Sequence, residues 1–213
     1  DKGAYFPECR EIPESPMDFW WFTERATSPD ADFYAGRLPE YSHLKDYFHQ
    51  RGHRGKKYER RLRQTEKACI DQGWGRAESI FHLIGPTQVG LASFAGMRML
   101  SYLKKQNPAI AIWPFENPSE KGVTLVEIYS RLFLAQAGFA RQKVRDWQTV
   151  DQGIREFGSA SVTEETRNIK ATDHRTDAII SVAGLRHLAQ QEKTGYRGDP
   201  IKKPQVQKAG LSG

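Results

Sequence analysis

The chain has 213 residues, 38% of them hydrophobic, a length that suits a single domain or a domain with a tail. No apolar run approaches the roughly 18 residues that span a bilayer, and no signal peptide is visible at the start. The formal net charge of +6 favours acidic partners such as nucleic acid, and the sparse cysteines, Cys9 and Cys69, fit neither a disulfide framework nor a zinc site. We therefore expect a cytoplasmic protein that makes no use of a membrane.

The first 40 residues are predicted to form an irregular arm that is rich in proline and aromatic side chains. One short helix is expected from about Met17 to Arg25. The aromatic residues of this arm are Phe19, Trp20, Trp21 and Phe22. Packing against the core is the favoured interpretation of these rings, and a platform for base stacking is the alternative.

A strongly basic segment, residues 51–67, holds eight lysines and arginines but only two glutamates. Its candidate nucleic-acid-binding residues are Arg51, Arg54, Lys56, Lys57, Arg60, Arg61 and Arg63. Tyr58, Leu62, Cys69 and Ile70 recur at near-helical spacing, which predicts a helix with a buried stripe and a cationic outer face. Such a face suits contacts to phosphates but is equally typical of a solvated helix surface.

A glycine-bounded turn is predicted at residues 85–90, before a helix expected from about Leu91 to Lys105. Thr87 or Gln88 could present polar groups at the helix entry, where unpaired N–H groups favour anions. No Gly-Lys-Ser/Thr follows, so the turn is not a Walker phosphate-binding loop. A purely structural turn is favoured over a site for a small-molecule phosphotransferase.

Two apolar stretches, Ala109–Phe115 and Val123–Tyr129, are predicted to be β-strands. Alternation places Glu127 on the same side of the second strand as Leu125 and Tyr129. A carboxylate in an otherwise apolar strand calls for an explanation, because a buried lone charge is costly. Glu116, at the end of the first strand, is a further candidate, although a turn residue is the more usual role for such an acid.

Helices are expected at 130–140 and 141–157, followed by a final helix from Thr172 or Asp173 to about Gln191. The residues after this helix lose their periodicity and gather glycine, proline and lysine. We therefore predict three regions: an arm at 1–40, an α/β domain at 41–191 and a flexible tail at 192–213.

The start of the last helix carries the clearest candidate for chemistry. Asp173, His174 and Asp177 are spaced three and four residues apart, so their side chains can point towards one site. Carboxylate and imidazole groups at this spacing suit Mg²⁺ or Mn²⁺. An equally good interpretation makes Asp173 an N-cap, His174 an exposed residue and Asp177 an acid placed favourably by the helix dipole.

Five stretches of this sequence follow a recognisable order: AESIFHLIGPTQVG, GMRML, IWPFE, VEIYSR and DHRTDA, at 77–90, 96–100, 112–116, 126–131 and 173–178. They resemble successive blocks of a bacterial family, domain of unknown function 429, described as predicted ribonuclease-H-like nucleases. The resemblance extends from about Phe33 to Ala189. The family has proline where this chain has Ser130, a departure in a turn.

The resemblance implies an α/β fold with a ribonuclease-H-like, RuvC-type mixed sheet flanked by helices, whose first strands lie upstream of this chain. It implies carboxylates on the fourth strand and on the closing helix, which are matched by Glu127 and Asp177. The spacing of His174 and Asp177 also resembles the helix motif of RuvC-type Holliday-junction resolvases. An aspartate of the first strand has no match here, so it either precedes Asp1 or is missing from the site.

The candidate catalytic residues are thus Glu127, Asp177, Asp173 and His174, and the candidate metal ligands are Glu127, Asp177 and Asp173. With Mg²⁺ or Mn²⁺ they would make the chain a metal-dependent nuclease that hydrolyses phosphodiester bonds. The alternative is a catalytically silent nucleic-acid-binding module of the same fold, because fold does not determine function.

Overall fold

The computed structural model describes residues 6–75, 77–85, 88–117, 122–140 and 142–193. Within these ranges the chain forms seven α-helices and two small β-sheets, which confirms the α/β class. Contacts divide the chain into two compact units, Asp1–Lys67 with Ala77–Glu127 and Ala68–Arg76 with Ile128–Gly213. These boundaries differ from the predicted arm, domain and tail, and the tail beyond Lys193 lies outside the described ranges.

Two helices organise the first unit, α1 (Pro16–Ala26) and α3 (Gly90–Gln106), which pack against each other. Both helices were predicted, with ends one residue shorter. Short 3₁₀ helices occupy Leu38–Glu40 and Ser42–Tyr47. Fully or almost fully buried aromatic rings fill the space between these elements: Phe6, Phe19, Phe22, Tyr47, Phe48, Phe81 and Phe94. Of the four rings of the arm, Phe19, Trp20 and Phe22 are therefore buried, as the packing interpretation predicted, and Trp21 is half-buried.

A buried arginine ties the irregular chain after α1 to α3. The Arg98 guanidinium donates to the Glu24 carboxylate at 2.8 Å and to the Asp30 carbonyl at 3.1 Å, and it also contacts the Tyr34 carbonyl. Only 4% of Arg98 is exposed. A cation at this depth requires such partners, because an unpaired buried charge is strongly destabilising.

Two short strands of the first unit form an antiparallel hairpin, β1 (His49–Gln50) and β2 (His53–Arg54). Gly52 adopts a φ of 74° in the connecting turn, a conformation that glycine adopts without strain. Gly55 follows the hairpin, where a side chain would collide with the backbone of Asp46. Glycines at these positions allow the hairpin to be tight and to lie close to the preceding 3₁₀ helix.

The basic segment is therefore not the continuous cationic helix that was predicted. Helix α2 covers only Gln64–Asp71, and residues 55–63 have no regular secondary structure. The helix begins late because the Glu66 carboxylate, 7% exposed, accepts hydrogen bonds from the backbone amide and the guanidinium of Arg63, at 2.7 and 2.8 Å. A side chain that satisfies a free amide ahead of the first turn determines where a helix begins.

The second sheet pairs β3 (Ala111–Trp113) with β4 (Thr124–Val126) in parallel, with Ala111 opposite Thr124. Both strands are shorter than predicted. The strand β3 ends early because the backbone amides of Phe115 and Glu116 both donate to the Ile112 carbonyl at 3.0 Å, which turns the chain.

The second unit consists of helices α4 (Ser130–Gln136), α5 (Trp147–Arg155), α6 (Glu164–Arg167) and α7 (Asp173–Lys193). Its core is a cluster of buried apolar side chains from α4, α5 and α7 and their flanking segments: Phe133, Leu134, Ala137, Val144, Val150, Ile154, Phe157, Ile180 and Ala183. Gly184 lets α7 approach α4, because a side chain there would overlap the ring of Phe133.

A capping side chain explains why α5 of the second unit is shorter than predicted. Helix α5 starts at Trp147, not at 141, because the Asp146 carboxylate accepts the Thr149 amide at 2.7 Å. Helix α7 begins at Asp173, as predicted, and extends for 21 residues.

Among the described residues, no helix combines the length and the apolar character that crossing a membrane requires.

Candidate nucleic-acid interface and acidic site

The hairpin presents three cations at one end of the basic segment. Arg51 lies in the turn, Arg54 ends β2 and Lys56 follows it, and all three are exposed. Within the described ranges, none of them forms an ion pair with a carboxylate. The Arg54 guanidinium lies over the ring of Tyr58, 5.0 Å from its centroid. Cations that are exposed and not neutralised are the groups that contact phosphates most readily.

The other four predicted basic residues have carboxylate neighbours. Lys57 pairs with Glu8 at 2.5 Å, and Arg60 pairs with Glu78 at 2.7 Å. Arg61 lies over the ring of Phe81, 4.7 Å from its centroid, with the Glu59 carboxylate 3.9 Å away. Arg63 pairs with Glu66 at 2.8 Å and with Glu127 at 3.5 Å. These side chains stabilise the irregular course of the segment as well as contributing charge.

A groove of about 900 Å³ runs along the same segment, entirely within the first unit. Its lining includes the cations Arg60, Arg61, Arg63 and Lys67 and the acids Glu14 and Glu59. The core residues Ile80 and Phe81, of which only 3% and 4% are exposed, also line it. Cations therefore outnumber acids along the groove. A groove whose lining carries more cations than acids suits the anionic backbone of a nucleic acid.

Glu127, the predicted ligand of the fourth strand, immediately follows β4 and belongs to the first unit. Its side chain is 78% exposed, and its carboxylate lies 3.5 Å from the Arg63 guanidinium. The strand is shorter than predicted, so the charge does not lie within an apolar strand and no buried lone charge has to be explained.

Asp173, the first residue of α7, is surrounded by cations of the second unit. Its carboxylate accepts hydrogen bonds from Arg145 at 2.5 Å and from Lys143 at 3.0 Å. These hydrogen bonds, first from Arg145 and then from Lys143, hold the pKa of the Asp173 carboxyl far below its ordinary value. Because both of its oxygens are engaged, a divalent ion would have to displace these cations to bind Asp173.

Asp177 lies one turn further along α7 and is partly buried. The Ser130 hydroxyl donates to its carboxylate at 3.5 Å, and no cation forms an ion pair with it within the described ranges. Burial raises the pKa of the Asp177 carboxyl, while the nearby Arg131 acts in the opposite direction. His174 is exposed on the same first turns of the helix. Asp177 is thus the acid of this helix start that remains open to a new partner.

The acidic residues of each unit do not by themselves compose a metal centre. Among the described residues, no three His, Cys, Asp or Glu side chains are gathered in a way that could hold a metal ion. Glu127 belongs to the first unit and Asp177 to the second.

Two further candidates from the sequence are Glu116 and the glycine-bounded turn at residues 85–90. Glu116 pairs with Lys104 at 2.7 Å and accepts the Ile112 amide at 3.1 Å, so it closes the turn after β3. The hydrogen bond from Lys104 lowers the pKa of the Glu116 carboxyl. In the glycine turn, Gly85 has a φ of 80°, and Pro86 and Thr87 lie outside the described residues.

Sequence reasoning missed a cluster of aromatic and imidazole rings beside the hairpin, formed by His49, Tyr58 and His82. The rings of His49 and His82 lie 5.0 Å apart, centroid to centroid. A signal was present, because a Phe-His pair occurs at both 48–49 and 81–82.

Comparison with models of protein families, with curated proteins and with solved structures found no match to this chain.

Proposed function

We propose that this chain binds the phosphate backbone of nucleic acid through the hairpin cations and the adjoining groove. The observation that carries the proposal is the exposure of Arg51, Arg54 and Lys56 without carboxylate partners among the described residues. Contacts of this kind supply affinity and position a nucleic acid without reading its sequence. The net charge of +6 acts in the same direction.

The test is a set of binding curves for a fluorescent twelve-residue oligothymidylate at increasing KCl concentrations. In the variant Arg51→Gln, Arg54→Gln, Lys56→Gln, we expect binding to weaken at least about tenfold near 100 mM salt. The slope of log affinity against log salt should fall by about 2, since each phosphate contact with a single strand contributes roughly 0.7.

The matched control removes the same charge from exposed positions of the same unit outside the hairpin and the groove: Arg10→Gln, Arg25→Gln, Lys105→Gln. Binding by this variant should stay within about twofold of the unsubstituted chain. Equal losses in both variants, or no salt-dependent binding by the unsubstituted chain, would overturn the proposal.

We also propose that the fold belongs to the ribonuclease-H-like class and, as a second candidate function, that the chain hydrolyses phosphodiester bonds with Mg²⁺ or Mn²⁺. This proposal rests on the family resemblance and on Asp177, a partly buried carboxylate without an ion pair among the described residues. Glu127 and Asp177 would be ligands, and Asp173 or His174 an auxiliary ligand or proton-transfer group. A divalent ion bound there would activate a water molecule and stabilise the transition-state oxygens.

Cleavage is tested by incubating branched DNA, an RNA–DNA hybrid and single strands with Mn²⁺. The unsubstituted chain is compared with the double variant Glu127→Gln, Asp177→Asn. Loss of cleavage in the double variant, with unchanged oligothymidylate binding, is the expected result. Equal activity in both proteins would remove the hydrolytic proposal and leave the silent binding module, the alternative that the sequence already allowed.

A further inference from the structure

The ring cluster lies directly beside the cations of the hairpin. His49 and Arg54 are opposite each other in the β1–β2 register, and cross-strand partners lie on the same face of a sheet. The ring of Tyr58 lies 5.1 Å from the ring of His49, centroid to centroid. The Arg54 guanidinium lies over the ring of Tyr58. A charge on His49 would therefore arise close to an exposed arginine that has no carboxylate partner among the described residues.

Backbone hydrogen bonds hold the two imidazoles in place. The His49 amide donates to the Phe81 carbonyl at 3.0 Å, and the Leu83 amide donates to the His49 carbonyl at 2.8 Å. The His82 Nδ1 lies 3.2 Å from the Tyr58 hydroxyl. The backbone segments that carry the two imidazoles are thus hydrogen-bonded to each other, which keeps their rings on neighbouring stretches of chain.

The groups that face His49 are mostly basic. Arg54 and His82 are its basic neighbours, and Tyr58 contributes a phenol whose pKa is raised by burial and then by the Glu78 carboxylate. Glu78 is engaged by Arg60 and by the Ser79 amide. Burial tends to raise the pKa of the Glu78 carboxyl, but these hydrogen bonds outweigh burial and lower it.

The same surroundings oppose a proton on His49. Burial, and then the neighbouring His82 and Arg54, lower the pKa of the His49 imidazole. The repulsive part of this effect would be relieved by an anion on Arg54. A phosphate bound there would therefore make protonation of His49 easier, and by linkage a proton on His49 would strengthen phosphate binding by the same factor.

We infer that the hairpin binds nucleic acid in a proton-dependent manner, with protonation of His49 beside Arg54 strengthening its hold on a backbone phosphate. This inference rests on the proposed function and names the regulation of the same surface. Because the pKa of His49 lies below the ordinary histidine value of about 6.5, affinity rises as the pH falls from that value towards the pKa of His49. At higher pH the neutral imidazole leaves the arginine and lysine contacts in place without this contribution.

The test measures binding of the twelve-residue oligothymidylate between pH 5.5 and 7.5 at constant ionic strength. The unsubstituted chain should bind at least about fivefold more tightly at the lower pH. His49→Gln should keep the affinity seen at pH 7.5 and lose most of the increase. The control is His187→Gln, which alters a histidine on α7 of the other unit and should retain the full pH dependence.

A second measurement uses the unsubstituted chain alone, so that it does not depend on the folding of a variant. The imidazole resonances of His49 are titrated by NMR with and without saturating oligothymidylate. The pKa of His49 should rise on binding. A pKa that is unchanged by the oligonucleotide, or the same pH dependence in His49→Gln as in the unsubstituted chain, would overturn the inference.

The two proposals fail in distinguishable ways. If no salt-dependent binding occurs at any pH, the nucleic-acid function itself is refuted. If binding at pH 7.5 depends on Arg51, Arg54 and Lys56 but His49 has no effect on its pH dependence, the function stands and only the proton linkage is refuted.

Discussion

The basic segment (residues 51–67) and the start of α7 (residues 173–177) differ in whether their exposed cations have carboxylate partners. In the basic segment, some cations have acidic partners, whereas those of the hairpin remain exposed without them among the described residues. At the start of α7, the exposed cations Lys143 and Arg145 are both engaged by one carboxylate, Asp173. The comparison shows that the number of charges in a stretch matters less than which of them already have partners.

The largest effect is expected where an acid organises the basic segment from within. Glu66→Gln should lower the free energy of unfolding by about 2 kcal/mol, because a buried carboxylate that accepts two hydrogen bonds from Arg63 is replaced by an amide. Urea unfolding followed by circular dichroism measures the loss. The control Glu59→Gln alters an exposed acid and should cost less than about 0.5 kcal/mol. Equal losses would mean that burial of Glu66 is not what matters.

A smaller effect is expected from releasing the cations at the start of α7. Asp173→Asn should leave Lys143 and Arg145 without their acidic partner and make them resemble the hairpin cations. We expect oligothymidylate binding at low salt to become about threefold tighter, with a salt slope steeper by about 1. Glu165→Gln removes the same charge from an exposed position of the second unit and should change binding less. An equal change in binding for Asp173→Asn and Glu165→Gln would show that Asp173 does not specifically neutralise Lys143 and Arg145.

The smallest effect is expected at Asp177. Its contribution to folding stability depends on pH in the opposite direction to that of Asp173. Burial raises the pKa of Asp177, so its favourable contribution to folding is present below the ordinary value near 3.9 and is lost as the pH rises. Asp177→Asn should therefore stabilise the protein at pH 7, by no more than about 0.5 kcal/mol at this partly exposed position.

Thermal unfolding at pH 7 and pH 4 checks this prediction. The gain from Asp177→Asn should shrink at pH 4, where the native carboxyl is closer to neutral. Because the pKa of Asp173 is lowered, its contribution has the opposite dependence: it is present above the ordinary value and is lost as the pH falls. Destabilisation by Asp177→Asn at pH 7 would show that the carboxylate has a stabilising partner.

Local patterns predicted most of the helices but few of the strand lengths. The ends of α1 and α3 and the start of α7 follow from apolar periodicity and from nearby proline, which act within a few residues. The predicted cationic helix failed because the Glu66 carboxylate satisfies the Arg63 amide and because glycines shape the hairpin. Periodicity over a few residues does not distinguish a helix from an irregular segment whose side chains have distant partners.

For the candidate site, the sequence likewise predicted individual residues but not their long-range pairings. The sequence predicted Arg51, Arg54 and Lys56 among seven candidate phosphate contacts and identified Asp177 by its spacing from Asp173 and His174. It could not show that Glu78, 18 residues away, engages Arg60, or that Lys143 and Arg145 converge on Asp173 across about 30 residues. Pairings over such separations depend on how the chain folds back.

By itself, the sequence determined the α/β class, the charge of the basic segment and the identity of the acids at the start of α7. Tertiary structure alone decided which of these charges are exposed, which are neutralised and that His49 and His82 meet beside Arg54. The physical reason is that composition and periodicity act locally, whereas ion pairing and burial depend on residues that are distant along the chain.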